Sequence, residues 1–143
     1  MKTISELIAK VESNGVQWAM RYEAHFKPSA AAINNCIAAH RPAFMSRSTA
    51  EMICKTSWGK YQIMGENLYT ICSLKCDVNS YMSDADLQEE TFFRFLEKRD
   101  INYSVEQLLA DAGKMSKFAR RYNGSTSYVK TLHIALGVKH GTN

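Results

Sequence analysis

Signals for the start of a helix recur along this 143-residue chain, and they constrain its fold more than any other feature. Thr3–Glu6, Ser48–Glu51 and Ser104–Gln107 each place a hydroxyl side chain three residues before a Glu or Gln, the pattern of a capping box. Apolar residues at helical spacing accompany such signals. We therefore predict a mainly α protein. Its expected helices lie at about residues 4–13, 30–39, 48–55, 67–74, 83–98, 104–122 (with Gly113 as the candidate break) and 127–136, with a helical turn at 60–64.

One segment, residues 16–26, departs from helical spacing. Val16, Trp18, Met20 and Tyr22 alternate with more polar neighbours, which is typical of a strand or a small hairpin. The predicted class is therefore mainly α (α+β), with a small β element near residues 16–26. The chain shows no internal repeat and no Ser/Gly-rich linker, so residues 1–143 are predicted to form a single domain.

The net charge of +4 favours approach to anionic polymers or surfaces. Because the basic residues are scattered along the chain, nucleic acid is not the expected partner. No signal peptide precedes the first predicted helix, and no apolar run is long enough to span a membrane.

The four cysteines, Cys36, Cys54, Cys72 and Cys76, allow three interpretations. Two disulfides would form in an oxidising compartment, in any of three pairings. A zinc site would need tight Cys-x-x-Cys pairs or ordered His partners, which the sequence lacks. Buried free thiols are the interpretation that we favour. We predict no metal site and no cofactor.

Glu12 is the strongest candidate for a catalytic residue. It follows Ile8 by four positions, which places it at the edge of the apolar face of the first helix rather than on the solvated side. A desolvated carboxyl has a raised pKa, as a general acid requires at neutral pH. The alternative for Glu12 on its own is an ordinary solvated glutamate.

Two later segments favour the catalytic interpretation of Glu12 over the solvated one. They are Ser57–Gly65, which contains Gly59-Lys60-Tyr61-Gln62, and Phe118–Gly124, which contains Tyr122-Asn123-Gly124. Together with Glu12 and in this order, they resemble the lysozyme-like superfamily of peptidoglycan-cleaving enzymes, especially its lytic transglycosylase and phage muramidase branches.

The resemblance implies a lysozyme-like fold and cleavage of the β-1,4 bond between N-acetylmuramic acid and N-acetylglucosamine. It implies that Glu12 protonates the leaving oxygen and that the hydroxyl of Tyr122 lies near it. Ser57, Gln62, Tyr122 and Asn123 would position the sugar and the acid. Each also has a structural alternative, such as an ordinary turn at Gln62 or a helix end at Asn123 and Gly124.

Glu23 is the second candidate carboxylate. Its segment, Arg21–Phe26, is similar to one that follows the catalytic glutamate in several phage-type lysins. Glu23 would activate water if the two carboxyl groups were roughly 6.5–9.5 Å apart, and the product would be a reducing sugar. Without that role, the muramic acid 6-hydroxyl attacks and a 1,6-anhydro product forms. A purely structural Glu23, paired with Arg21, is equally expected.

The expected partner is the glycan strand of peptidoglycan, bound by a monomer without stable membrane insertion. The resemblance to phage lysins places the protein in the host cytoplasm before its release to the cell wall, or in the virion. Two alternatives remain at this point: a non-catalytic cell-wall-binding protein with the same fold, and a chitinase-type hydrolase.

Overall fold

The computed structural model describes residues 2–138, most of which are helical. The two ends of the predicted domain, residue 1 and residues 139–143, lie outside the described residues. Within 2–138, no helix is long and apolar enough to cross a membrane. The helices are α1 Ile4–Ser13, α2 Ala30–Ala39, α3 Arg47–Cys54, α4 Gly65–Leu68, α5 Val78–Ser83, α6 Ala85–Lys98, α7 Val105–Ala110, α8 Ala112–Asn123 and α9 Tyr128–Ala135.

A small antiparallel sheet completes the fold. Its strands are β1 Met20–Tyr22, β2 Thr56–Trp58 and β3 Ile63–Met64, in the order β1-β2-β3. The predicted β element near residues 16–26 is therefore confirmed, although its strand covers only three residues. This mainly helical chain with a small sheet agrees with the α+β class and the lysozyme-like fold that the sequence predicts.

The hairpin between β2 and β3 corrects one prediction, the helical turn at 60–64. Gly59 and Gln62 both adopt left-handed conformations, with φ of 81° and 51°, so the chain reverses here instead of continuing as a helix. A Cβ on Gly59 would lie 2.5 Å from Oε1 of Gln88. Glycine is therefore required at this position for two independent reasons.

Several helix boundaries also differ from the prediction. The third helix begins at Arg47, because the hydroxyl of Ser46 rather than Ser48 caps it, accepting the N–H of Thr49 in the first turn. The predicted helix at 67–74 is wrong beyond Leu68, where the short α4 ends, and α5 was not predicted. The long stripe at 104–122 breaks at Asp111, whose carboxylate caps α8, rather than at Gly113.

The ring of Tyr122 lies at the centre of an aromatic cluster that joins α6 and α8. It is stacked on Phe118 at 5.4 Å between centroids and meets Phe95 edge-on at 5.5 Å. Phe118 and Phe92 are fully buried in the core. Since buried aromatic side chains contribute large apolar areas, this cluster holds the C-terminal end of α8 firmly against α6.

Candidate active site

A cavity of about 720 Å³ opens between the sheet and the helices α1, α6 and α8. It brings together residues from both ends of the chain. All six predicted site residues line it, namely Glu12, Glu23, Ser57, Gln62, Tyr122 and Asn123.

Glu12 lies in the last turn of α1, and its carboxyl group is partly buried. The hydroxyl of Tyr128 donates a hydrogen bond to Glu12 Oε2. Burial raises the pKa of Glu12 above its ordinary value, while the Tyr128 hydrogen bond and the charge of Arg21 act in the opposite direction. Because the rise prevails, Glu12 keeps its proton to a higher pH than an exposed glutamate would.

Two sets of contacts fix the end of α1. Asn14 ends the helix in a left-handed conformation, and its N–H is bonded to carbonyl groups in the last turn. The hydroxyl of Ser13 donates to the carbonyl of Lys60, in the β2–β3 turn, at 2.8 Å. The backbone that carries Glu12 is thereby tied to the sheet.

Tyr128 is the contact that sequence reasoning missed. The resemblance placed the hydroxyl of Tyr122 near Glu12, but that hydroxyl donates to the carbonyl of Tyr61 at 2.5 Å. The tyrosine bonded to Glu12 is Tyr128, the first residue of α9, whose ring stacks on Tyr122 at 6.2 Å. Nothing local distinguishes Tyr128 in the sequence, because its partner lies 116 residues away.

Ser57 and Gln62 lie on the sheet side of the cavity. Ser57 is buried in β2, between Arg21 of β1 and Met64 of β3. The side-chain amide nitrogen of Gln62 donates to the carbonyls of Gly59 and Ala19, at 3.0 and 3.2 Å. These two acceptors fix the orientation of the Gln62 side chain.

Glu23 directly follows β1. Its N–H donates to the carbonyl of Lys55 at 2.8 Å, and its carboxylate forms an ion pair with Arg21 at 2.6 Å. Since alternate residues of a strand face opposite sides, Arg21 and Glu23 line the cavity while Met20 and Tyr22 are exposed. Glu23 thus both faces the cavity and pairs with Arg21, which combines the two sequence-based interpretations.

The cysteine thiols lie outside this cavity. Cys36, Cys54 and Cys72 are buried and Cys76 is partly buried, and all four are free. Burial raises the pKa of the Cys72 thiol to about 12, so it is unreactive as a nucleophile near neutral pH. In the part of the chain that is described, no cluster of three or more His, Cys, Asp or Glu side chains has the arrangement of a metal site.

Comparisons with known proteins show the family to which the chain belongs. Residues 38–140 match the model of the N-acetylmuramidase family. Over 135 residues the chain is 36% identical to the endolysin of Enterobacteria phage PRD1. The aligned region covers 88% of this chain and 89% of that protein. No solved structure matches the chain. Ser57, Gln62, Tyr122 and Asn123 fall inside the family match, whereas Glu12 and Glu23 precede it.

Proposed function

Because the chain belongs to the N-acetylmuramidase family and is a peptidoglycan-cleaving enzyme, we propose that Glu12 is its general acid. The bond cleaved is the β-1,4 linkage between N-acetylmuramic acid and N-acetylglucosamine. One observation carries the proposal: a partly buried carboxyl with a raised pKa, bonded to a tyrosine hydroxyl, lines a large cavity.

The chemistry requires Glu12 first to give up a proton and then to carry a negative charge. The neutral acid protonates the leaving oxygen as the glycosidic bond breaks. The carboxylate left behind accepts the hydrogen bond of Tyr128, which stabilises the charged form. Burial raises the pKa of the Tyr128 hydroxyl well above its ordinary value, so this hydroxyl remains a donor throughout the working pH range.

The other cavity residues hold the sugar. With its amide nitrogen engaged by two backbone carbonyls, Gln62 presents its carbonyl oxygen as the acceptor for a hydroxyl or acetamido N–H of the glycan. Ser57 and Asn123 supply further polar groups in the cavity lining. Tyr122 contributes through its ring, which packs against Tyr128 and keeps the hydroxyl of Tyr128 on the carboxyl.

We assign the second half of the reaction to water activated by Glu23, which makes the enzyme a hydrolase. Two carboxylates line one cavity, as the inverting mechanism needs, and Arg21 stabilises the negative charge of Glu23. The competing route is attack by the muramic acid 6-hydroxyl. It is supported by the same Arg21 ion pair, since that pair gives Glu23 a structural role that needs no water.

Similarity to a phage endolysin supports a biological role in host lysis. The endolysin of phage PRD1 aligns with most of this chain, which supports a phage endolysin that acts on the host cell wall. Family membership favours an enzyme over a non-catalytic wall-binding protein, and a muramyl glycan over chitin as the substrate.

Digestion of purified sacculi, followed by mass spectrometry of the soluble fragments, tests this assignment. Hydrolysis predicts reducing muramyl ends. Anhydro-muramyl ends, lighter by one water, would instead assign the second step to the 6-hydroxyl and leave Glu23 as a structural partner of Arg21. The absence of any fragments would contradict the glycosidase itself.

A further inference from the structure

Three arginines line the cavity on its helical side: Arg99, the residue after α6, and Arg120 and Arg121, in the last turn of α8. We call them the arginine wall. They accompany only two glutamates in the cavity lining, one of which, Glu23, is already paired with Arg21. The cavity therefore carries an excess of positive charge.

The contacts of these arginines leave much of that charge unpaired. Arg121 donates to the carbonyl of Arg99 at 2.9 Å, and its charge lies 4.0 Å from Asp100, which is bound more closely by Lys117. Arg120 donates to the hydroxyl of Ser116 at 2.8 Å. The guanidinium of Arg99 lies 5.5 Å from the centroid of the Phe95 ring.

Within residues 2–138, neither Arg99 nor Arg120 has a carboxylate at ion-pair distance. Two guanidinium groups at one end of a substrate cavity are thus available to an anionic ligand.

Stabilisation of the helix ends does not explain the group fully. Cations are favourable in the last turn of a helix, which accounts for basic residues at the ends of α6 and α8. Any exposed cationic side chain in the last turn gives that stabilisation, so it does not require the arginines to line the same cavity. Nor does the arginine wall assist the acid directly, because the arginine whose charge acts on Glu12 is Arg21, on the sheet side.

The positions of the negative charges in peptidoglycan indicate which group the arginines could bind. The sugar rings of peptidoglycan are neutral, and its carboxylates belong to the peptide stems attached to N-acetylmuramic acid. In a peptide-bearing strand the lactyl carboxyl is part of an amide bond and carries no charge. The nearest anions to the scissile bond are therefore stem carboxylates, and a planar guanidinium binds a carboxylate through two parallel hydrogen bonds.

We propose that Arg99 and Arg120 bind carboxylates of the peptide stem, so that the enzyme selects glycan with charged stems over the same glycan with its stem carboxylates neutralised. This specificity rests on the proposed placement of the glycan in the same cavity. Arg121 is a positioning residue here, since it holds the backbone of Arg99.

The test compares kcat/KM on two substrates: solubilised peptide-bearing glycan, and the same glycan after its stem carboxylates have been converted to neutral amides. The stems themselves are kept, because their removal by an amidase would free the lactyl carboxylates. The double variant R99Q/R120Q is measured against K98Q/K130Q, which removes the same charge from exposed positions that do not line the cavity. The double variant should lose about 10- to 100-fold on glycan with charged stems, since a charge-assisted hydrogen bond is worth roughly tenfold. On the amidated glycan its loss should stay within about threefold.

R99K/R120K gives a second readout, because lysine keeps the charge but not the paired hydrogen bonds. Its preference for glycan with charged stems over amidated glycan should fall between those of the wild type and R99Q/R120Q. Equal losses of R99Q/R120Q on both substrates would overturn the proposal, as would a wild type that cuts both glycans equally well. Failure of the glycosidase assignment is distinguishable, because the wild type would then cut neither.

Discussion

The two walls of the cavity hold their glutamates in opposite ways. On the helical wall, Glu12 is partly buried beside Tyr128 and the aromatic rings packed around Tyr122. On the sheet wall, Glu23 lies at the end of an exposed strand and is paired with Arg21 at 2.6 Å. One residue type is therefore given two environments. The first favours a neutral acid, and the second gives a carboxylate a partner for its charge.

The packing behind each wall accounts for the difference. Tyr128 and Phe118 are buried, so Glu12 is backed by the hydrophobic core. The three residues of β1 are all exposed, and the side chain of Met20 is 64% exposed. A carboxyl backed by a core is desolvated, whereas one on an edge strand is not. The proposed division of roles between the two glutamates thus matches the position of the hydrophobic core.

The largest expected effect comes from the helical wall. Glu12→Gln keeps the shape of the side chain but removes the transferable proton, so release of soluble fragments from sacculi should fall about 10³-fold or more. Glu6→Gln, the same change on an exposed residue of α1, is the matched control and should retain activity. Retention of most lysis by Glu12→Gln would show that another group protonates the leaving oxygen.

The next effect tests the sheet wall. Glu23→Gln should lower kcat about 10²-fold if Glu23 activates the water. Arg21→Gln combined with Glu23→Gln separates this role from simple charge balance. If Glu23 only neutralises Arg21, the combined variant regains activity, and if Glu23 holds the water, it does not. A decrease in kcat of less than about fivefold in Glu23→Gln would contradict the water-activating role of Glu23.

A smaller effect sharpens the roles of the two tyrosines. The Tyr128 hydrogen bond lowers the pKa of Glu12, so Tyr128→Phe should raise it further and move the alkaline limb of the kcat/KM profile to higher pH. Tyr122→Phe removes only the bond to the Tyr61 carbonyl, so it should lower stability by about 1 kcal/mol without moving that limb. The opposite pattern, with the limb moved by Tyr122→Phe alone, would restore the assignment made from the sequence.

The smallest effect is on stability. Because the pKa of Glu12 is raised in the folded state, ionised Glu12 destabilises the fold relative to the unfolded chain. The wild type keeps its full stability below the unfolded pKa of about 4.3 and loses part of it as the pH rises through the folded value. Glu12→Gln should therefore melt at a higher temperature than the wild type at pH 7, but at the same temperature below pH 4. Equal melting temperatures at pH 7 would mean that Glu12 is not desolvated.

Much of the helical wall could be predicted from the sequence, because its signals are local. The apolar spacing of α1 and its end at Asn14 placed Glu12 at the edge of the buried face. The capping box at Ser104 and Gln107 is formed as predicted. That the six predicted residues share one cavity was expected from the resemblance alone. Local sequence patterns do not show which distant residues lie close together in the fold.

The remainder depended on contacts between distant segments. Strands of two or three residues, such as β3, are too short for any periodic signal, and pairing across the hairpin stabilises them. Tyr128 reaches Glu12 only because α9 packs on α1. The arginine wall likewise forms from the ends of α6 and α8, which the aromatic rings of Phe95 and Phe118 bring together around Tyr122.

The most direct test of this account is a titration of the Glu12 side-chain carboxyl by carbon NMR in the free wild-type protein, with its signal assigned by its loss in Glu12→Gln. We predict a midpoint clearly above the ordinary glutamate value of about 4.3. A midpoint at or below that value would contradict the central claim, because Glu12 would then be ionised at the pH where the enzyme must donate a proton.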